Sequence, residues 1–131
     1  MDVSVRFCET DSSGYVNATS YFIYLEEARA KFFDTNGYGA NNRESTLNFI
    51  IATTKCDFFR QADFHQQIKI TTSVAKVGNK SFQIIQEMTC ESGFQIAVGE
   101  TVIVCFDFKE QATFQIPDSL RMVLEKNLQA S

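Results

Sequence analysis

The sequence has 131 residues, 44% of them apolar, with a formal net charge of −4 and an isoelectric point of about 4.9. This length suits a single domain, residues 1–131, with a full hydrophobic core. The acidic balance argues against nucleic acid as the main partner, because phosphate recognition needs a basic surface. The N-terminal stretch does not resemble a signal peptide, and no apolar run approaches the roughly 20 residues of a membrane span. We therefore expect a cytoplasmic protein.

The four cysteines form no Cys-x-x-Cys pair, and each falls within a strand-like run: Cys8, Cys56, Cys90 and Cys105. This pattern predicts buried, reduced thiols. A metal site is not expected, because the single histidine, His65, has no cysteine or carboxylate at metal-ligand spacing.

A strand, a polar loop and a long helix are predicted at the start of the chain. Apolar and polar residues alternate over residues 2–8, as they do in a strand. The apolar face of this strand carries Val3, Val5 and Phe7. The following loop, residues 9–16, contains Gly14, which can adopt a positive φ. The polar residues of this region are Glu9, Asp11, Ser12, Ser13 and Asn17.

The helix is predicted to begin after an N-cap at Asn17, with Thr19 and Ser20 as alternatives, and to end near Asn36 and Gly37. Its apolar residues recur at helical spacing and form a wide stripe: Tyr21, Phe22, Ile23, Tyr24, Leu25, Ala28, Phe32 and Phe33. A stripe this wide indicates a helix that is enclosed by other structure. Its polar residues are expected to form surface ion pairs rather than auxiliary acid or base groups: Glu26, Glu27, Arg29 and Lys31.

Beyond a polar connection at residues 37–45, the pattern becomes strand-like. Long strands are predicted at residues 47–59, 68–77, 82–91 and 94–108, and Pro117 is predicted to open a short helix at residues 117–128. Short turns join the last three strands, which therefore form an antiparallel meander. The fold class is α+β, with the long helix buried against one face of a sheet. The other face and the edges remain for a partner chain, so homo-oligomerisation is expected.

The run FCETDSSGYVNATSYFIYLEEAR, residues 7–29, resembles the signature of hotdog-fold acyl-CoA thioesterases of the 4-hydroxybenzoyl-CoA thioesterase type. The later stretches CDFFRQADFHQQIKITT, VGNKSF, ETVIVCFDF and IPDSLRMVLEK resemble the strands and closing helix of the same family. The resemblance covers nearly the whole chain. It implies a hotdog fold, in which a five-stranded antiparallel sheet wraps one long central helix, with a short C-terminal helix.

The resemblance also implies hydrolysis of an acyl-CoA thioester to a free carboxylic acid and coenzyme A, with no metal or redox cofactor. Asp11 is implied as the nucleophile or as the base for a water molecule, with Gly14 and Asn17 in the same motif. A backbone N–H at Ala18 or a neighbour would polarise the thioester carbonyl. Without the resemblance, Asp11 would be interpreted as a turn residue. The sequence departs from the family at Glu9, where Asp is common.

Other candidate residues have a functional and a structural interpretation. Tyr21 either lines the acyl pocket or packs in the core. The phenylalanines near the end of the second strand either shape an acyl tunnel or pack in the core: Phe58, Phe59 and Phe64. The residues around the Gly78 turn either contact the phosphates of coenzyme A or form a solvated hairpin tip: Lys76, Lys80 and Ser81.

Two alternative functions are compatible with the fold. The first is a non-catalytic module that binds acyl-CoA or an acyl-carrier protein. The second is a hotdog hydratase or dehydratase, which ranks lower because such enzymes pair a histidine with a carboxylate, and His65 is the single histidine. The sequence leaves open the acyl group, the choice between coenzyme A and a carrier protein, and the choice between a homodimer and a homotetramer.

Overall fold

The computed structural model describes residues 1–38, 48–63 and 65–129. Its helices and strands follow in the order β1 (Asp2–Ser4), α1 (Ala18–Thr35), β2 (Phe49–Phe58), β3 (Gln67–Val77), β4 (Ser81–Cys90), β5 (Gln95–Asp107), β6 (Ala112–Thr113) and α2 (Asp118–Lys126). A short 3-10 turn, Phe7–Glu9, lies between β1 and α1. Most of the predicted polar connection, the predicted strand start at Leu47, and Phe64 lie outside the described residues.

The strands form one antiparallel sheet in the order β1-β3-β4-β5-β2, and β6 pairs with the end of β5. Strands β3, β4 and β5 are the predicted meander, and the turn after β3 closes through a bond from the Gly78 amide to the Ser81 carbonyl at 2.7 Å. The strand β2 adds to the far side of β5. As a result β5 is an interior strand, as its two apolar faces predict.

The helix α1 packs against one face of this sheet, as predicted. Its buried residues divide between two clusters, one around Tyr21, Tyr24 and Leu25 and one around Phe33. The helix and the sheet approach each other closely at Gly99 on β5, where an added Cβ would lie 2.7 Å from Leu25 Cδ1. Helix and sheet are therefore held in tight contact near the middle of β5.

The boundaries of α1 agree with the helix predicted from the sequence. Asn17 is the N-cap, and its side-chain Oδ1 accepts a hydrogen bond from the Ser20 amide at 2.9 Å. Asn36 is the C-cap. The second helix begins one residue later than predicted, at Asp118, so Pro117 is its N-cap and not its first helical residue. No helix in the described part of the chain has the length and apolar character needed to cross a bilayer.

The predicted first strand is wrong beyond Ser4. The chain turns there instead of extending to Cys8, because the Glu9 side chain accepts from the Arg6 amide at 2.9 Å and closes a 3-10 turn. Phe7 is consequently 75% exposed and does not share a face with Val3.

The predicted environment of the cysteines is also partly wrong. Cys8 is exposed in the 3-10 turn rather than buried in a strand. Cys56 and Cys90 are half-buried, and Cys105 is buried. All four are free thiols, and burial raises the pKa of both Cys56 and Cys105 to about 11. The buried thiols thus behave as small apolar side chains.

The polar face of α1 differs from the prediction at one position. Arg29 is buried beneath the helix, where its Nη1 donates to Gln86 Oε1 and to Thr101 Oγ1, both at 3.3 Å. Burial lowers the pKa of Arg29, and the nearby Glu26 opposes that shift. Within the described ranges, the ion pairs are Arg6–Glu9 and Lys55–Glu100, so the predicted surface pairs on α1 are not formed.

The apolar stripe of α1 is narrower than predicted. Tyr21, Tyr24, Leu25, Ala28 and Phe33 are buried, as expected. The flanking residues are instead accessible, with Phe22 36% and Ile23 54% exposed. One apolar side of α1 therefore has no cover from this chain's described residues.

Candidate active site

The loop before α1 holds Asp11 by its own backbone. Asp11 Oδ1 accepts from the Ser13 amide at 2.8 Å and from the Tyr15 amide at 3.3 Å, while the Gly14 amide donates to the Asp11 carbonyl at 3.0 Å. Gly14 has a φ of +83°, which closes this tight turn. The second carboxylate oxygen, Oδ2, has no hydrogen-bond donor among the residues that the structure describes. One oxygen is thus fixed and the other is available to a ligand.

The first turn of α1 presents backbone donors next to this loop. The Asn17 side chain caps the helix by accepting from the Ser20 amide, so that donor is already paired. In the described ranges, the amides of Ala18 and Thr19 have no hydrogen-bond acceptor. Such unpaired N–H groups, together with the positive end of the helix dipole, suit an oxygen atom that gains negative charge.

A pocket of about 520 Å³ lies between the Asp11 loop, the start of α1 and the residues that follow β2. The predicted residues Asp11, Asn17, Ala18 and Tyr21 all line it. Phe58 also lines it, and so do three following residues: Phe59, Arg60 and Gln61. The structure therefore brings these four residues, and the acyl-tunnel candidates Phe58 and Phe59, into one cavity.

The segment after β2 is held in place by Ala62, which is fully buried. Its carbonyl accepts from the Val16 amide at 2.7 Å, and its amide donates to the Tyr21 hydroxyl at 2.9 Å. The same tyrosine meets the Phe58 ring edge-on, with ring centroids 5.0 Å apart. Tyr21 is 4% exposed, and burial raises the pKa of its phenol. Tyr21 is therefore both a core residue and part of the pocket wall.

Phe58 and Phe59 are 47% and 59% exposed, although both are large and apolar. Side chains this exposed are not packed in the core. Phe58 and Phe59 therefore form an aromatic wall of the pocket that the other described residues do not cover. Phe64, proposed with them from the sequence, lies outside the described residues. The open wall offers an apolar surface close to Asp11.

Sequence reasoning missed Arg60, the one cationic side chain that lines this pocket within the described ranges. Its Cζ lies 3.9 Å from the centroid of the exposed Phe94 ring, a cation–π contact. Gln61 was missed as well. Both follow an aromatic pair at a strand end, a pattern that by itself does not distinguish a pocket from a surface turn.

The residues proposed at the β3–β4 turn lie elsewhere. Lys76, Lys80 and Ser81 are at the end of the sheet opposite the pocket, separated from it by most of the length of β4. A strand of ten residues spans about 30 Å. Within one protomer, the structure does not bring these three residues together with Asp11.

His65 is exposed, has a φ of +80°, and does not line the pocket. In the ranges that the structure describes, no three His, Cys, Asp or Glu side chains cluster as metal ligands. Among the described residues that line the pocket with Asp11, there is no histidine.

The comparisons agree with these observations. The model of the Thioesterase-like superfamily matches residues 5–124, so the chain belongs to this superfamily. The acyl-CoA thioesterase YbgC of Helicobacter pylori is 32% identical over 90 residues, which cover 69% of this chain and 66% of that protein. The chain spans 54% and 66% of the length of the first curated relatives that it matches.

Two further relatives match over almost their full length. The long-chain acyl-CoA thioesterase FadM of Escherichia coli is 25% identical over 125 residues, 95% of each chain. The solved structure of BH1999, a gentisyl-coenzyme A thioesterase, has a TM-score of 0.82 and 26% identity, and the match covers 95% of this chain and 98% of that one. The predicted hotdog fold and family resemblance are thereby confirmed.

Proposed function

We propose that the protein hydrolyses an acyl-CoA thioester to the free carboxylic acid and coenzyme A. The observation that carries this proposal is that Asp11 and Ala18, whose amide is unpaired at the start of α1, line the same pocket. Relatives that are named acyl-CoA thioesterases support the same chemistry. Asp11 supplies the reactive oxygen, and Ala18 and Thr19 supply donors for the thioester oxygen.

Two routes use these groups. In the first, Asp11 Oδ2 attacks the thioester carbon, the C–S bond breaks, coenzyme A leaves as a thiolate, and water then cleaves the acyl–Asp11 anhydride. In the second, Asp11 takes a proton from a water molecule that attacks the same carbon directly. In both, the Ala18 and Thr19 amides stabilise the negative charge that develops on the carbonyl oxygen.

The wall opposite Asp11 suggests where the acyl group lies. Tyr21, Phe58 and Phe59 present aromatic surface, which favours an apolar or aromatic acyl chain over a polar one. The coenzyme A portion would reach Lys76, Lys80 and Ser81 only from the pocket of a second copy, because they lie too far from Asp11 in the same protomer. The proposal therefore includes a homodimer or a homotetramer.

The first test is release of free thiol from a panel of acyl-CoAs: acetyl, hexanoyl, palmitoyl, benzoyl and phenylacetyl. We expect turnover of at least one class, and Asp11→Asn should lower kcat by at least about 100-fold. The matched control is Asp34→Asn, at the far end of α1, which should leave kcat unchanged.

Wild-type kcat in Asp11→Asn would refute the assignment of Asp11. No turnover of any panel member by folded wild-type protein that still binds the acyl-CoAs would refute hydrolysis of acyl-CoA. That result would favour a binding module or a carrier-protein substrate. A single turnover in ¹⁸O water tests for the first route, because label enters Asp11 itself only when water attacks the Asp11 carbonyl carbon of the anhydride.

A further inference from the structure

Glu9 is a buried carboxylate that lies just outside the pocket. It is 8% exposed, ends the 3-10 turn after β1, and is not among the residues that line the pocket. Three donors surround it. Its Oε1 accepts from the Arg6 amide at 2.9 Å and from the Tyr24 hydroxyl at 2.8 Å, and its Oε2 accepts from Arg6 Nη2 at 3.1 Å.

The backbone of Glu9 is joined to the start of α1. Its carbonyl accepts from the amide of Asn17, the N-cap residue, at 3.0 Å. Asp11 is two residues after Glu9, and Ala18 is one residue after Asn17. The bond between Glu9 and Asn17 therefore sets the separation between the pocket carboxylate and the amide donors.

The side chain of Glu9 fixes the same loop to the body of the helix. Tyr24 is 2% exposed and lies six residues beyond Ala18, which is about 9 Å along the helix axis. Tyr24 also packs edge-on against Tyr21, a pocket residue, with ring centroids 6.4 Å apart. Because the two Arg6 bonds are local, the Tyr24 hydroxyl is the contact that joins the Glu9 side chain to α1.

We propose that Glu9 and Tyr24 form a positioning pair, which holds the Asp11 loop against the first turn of α1 at the separation that the reaction needs. This inference rests on the proposed function. Neither residue touches the substrate. The pair acts through the loop backbone, so that the Asp11 carboxylate and the Ala18 amide face the same thioester carbon.

The charge of Glu9 fits this role. Burial by itself raises the pKa of its carboxyl, but the hydrogen bonds from Arg6 and Tyr24 outweigh burial and leave the pKa below its usual range. Glu9 is therefore ionised at neutral pH and accepts from all three donors. Burial and the Glu9 carboxylate raise the pKa of the Tyr24 phenol, which keeps its proton for this bond.

The test compares Tyr24→Phe, Glu9→Gln and the double variant. We expect each single variant to lower kcat by about 10- to 100-fold, because a small misplacement of reacting groups is costly. KM should change by less than about twofold, since the pocket wall is intact. The double variant should be no slower than the slower single variant, because both substitutions act on the same hydrogen bond: Tyr24→Phe removes its donor and Glu9→Gln weakens its acceptor.

The matched control is Tyr38→Phe, which removes a hydroxyl that donates to Ser119 Oγ at 2.8 Å, far from the pocket. It should keep wild-type kcat. If Glu9→Gln fails to fold, Tyr24→Phe alone tests the inference, because it removes only the hydroxyl oxygen and leaves the aromatic ring in the core.

Wild-type kcat in Tyr24→Phe would overturn the inference while leaving the proposed function intact. So would a loss confined to KM, or a double variant whose loss equals the product of the single losses. A folded wild-type protein that cleaves no thioester would instead overturn the proposed function, and this inference with it.

Discussion

Gly14 shows how a single residue shapes the site. Its φ of +83° is matched by Gly93, in the turn between β4 and β5, with a φ of +85°. A Cβ at either position would meet no atom within 4 Å. Alanine therefore adds backbone strain without a steric clash. We expect Gly14→Ala and Gly93→Ala each to lower the free energy of unfolding by about 1–2 kcal/mol, as measured by urea denaturation.

Only Gly14→Ala should also lower kcat in the thiol-release assay. The amide of Gly14 donates to the Asp11 carbonyl, so strain at this position moves the carboxylate, whereas the amide of Gly93 donates to the Cys90 carbonyl and makes no bond to the Asp11 loop. Similar stabilities with different kcat values would support a role of the loop geometry in the reaction. Equal kcat values in the two variants would contradict it.

Sequence reasoning succeeds at residues whose environment is local. Asp11, Gly14 and Asn17 lie within seven positions, and their spacing by itself predicts the turn and the helix cap. It fails where the partner is distant. The buried state of Glu9 depends on Tyr24, 15 positions away, and that of Arg29 on Thr101, 72 positions away. Because glutamate and arginine are usually exposed, the sequence alone favours the surface for both.

At the scale of elements, the periodicity of apolar residues correctly predicts a helix or strand wherever one face of that element is buried along its whole length. The strand β3 buries Ile68, Ile70 and Val74, as their alternation predicts. The helix α1 has its predicted bounds. Periodicity fails at β1, where a hydrogen bond from the Arg6 amide to the Glu9 side chain ends the strand, and on the flank of α1. On that flank the sequence pattern identifies apolar residues, but it does not show whether this chain or a second one covers them.

The contact between α1 and β5 supports a prediction about Gly99. An added Cβ would lie 2.7 Å from Leu25 Cδ1, and Leu25 is fully buried. The helix must shift or Leu25 must change its rotamer, so Gly99→Ala should lower the free energy of unfolding by about 1–3 kcal/mol. Urea denaturation measures this loss.

Leu25→Ala provides the matched background. Leu25→Ala removes the Cδ atoms that an alanine at position 99 would meet. In this background Gly99→Ala should lower the free energy of unfolding by less than it does in the wild type, with a coupling free energy of at least about 0.5 kcal/mol. Strictly additive losses would show that the close approach of α1 and β5 is not what limits residue size at Gly99.

At the scale of the whole molecule, the described residues leave an edge strand and several large apolar side chains uncovered. The strand β2 is the last in the sheet order, and its outer edge has no partner strand in the described part of the chain. Ile51 on this strand is 50% exposed, and Phe22 and Ile23 on α1 are also accessible. The aromatic wall of the pocket, at Phe58, continues from the end of β2. A long edge strand beside exposed apolar side chains favours association with another chain.

A second copy of this chain, paired along β2, would cover these residues and close the aromatic wall beside Asp11. We therefore expect a homodimer or homotetramer in solution, measured by light scattering after size exclusion. Ile51→Lys should raise the dissociation constant at least about 10-fold, because a charge replaces apolar surface at the interface. The control is Met122→Lys on α2, 71% exposed, which should keep the wild-type mass.

The activity of Ile51→Lys should rise with protein concentration as the pocket is completed. An unchanged mass for Ile51→Lys would exclude β2 as the interface, and full activity in a monomeric variant would show that one protomer suffices for the reaction.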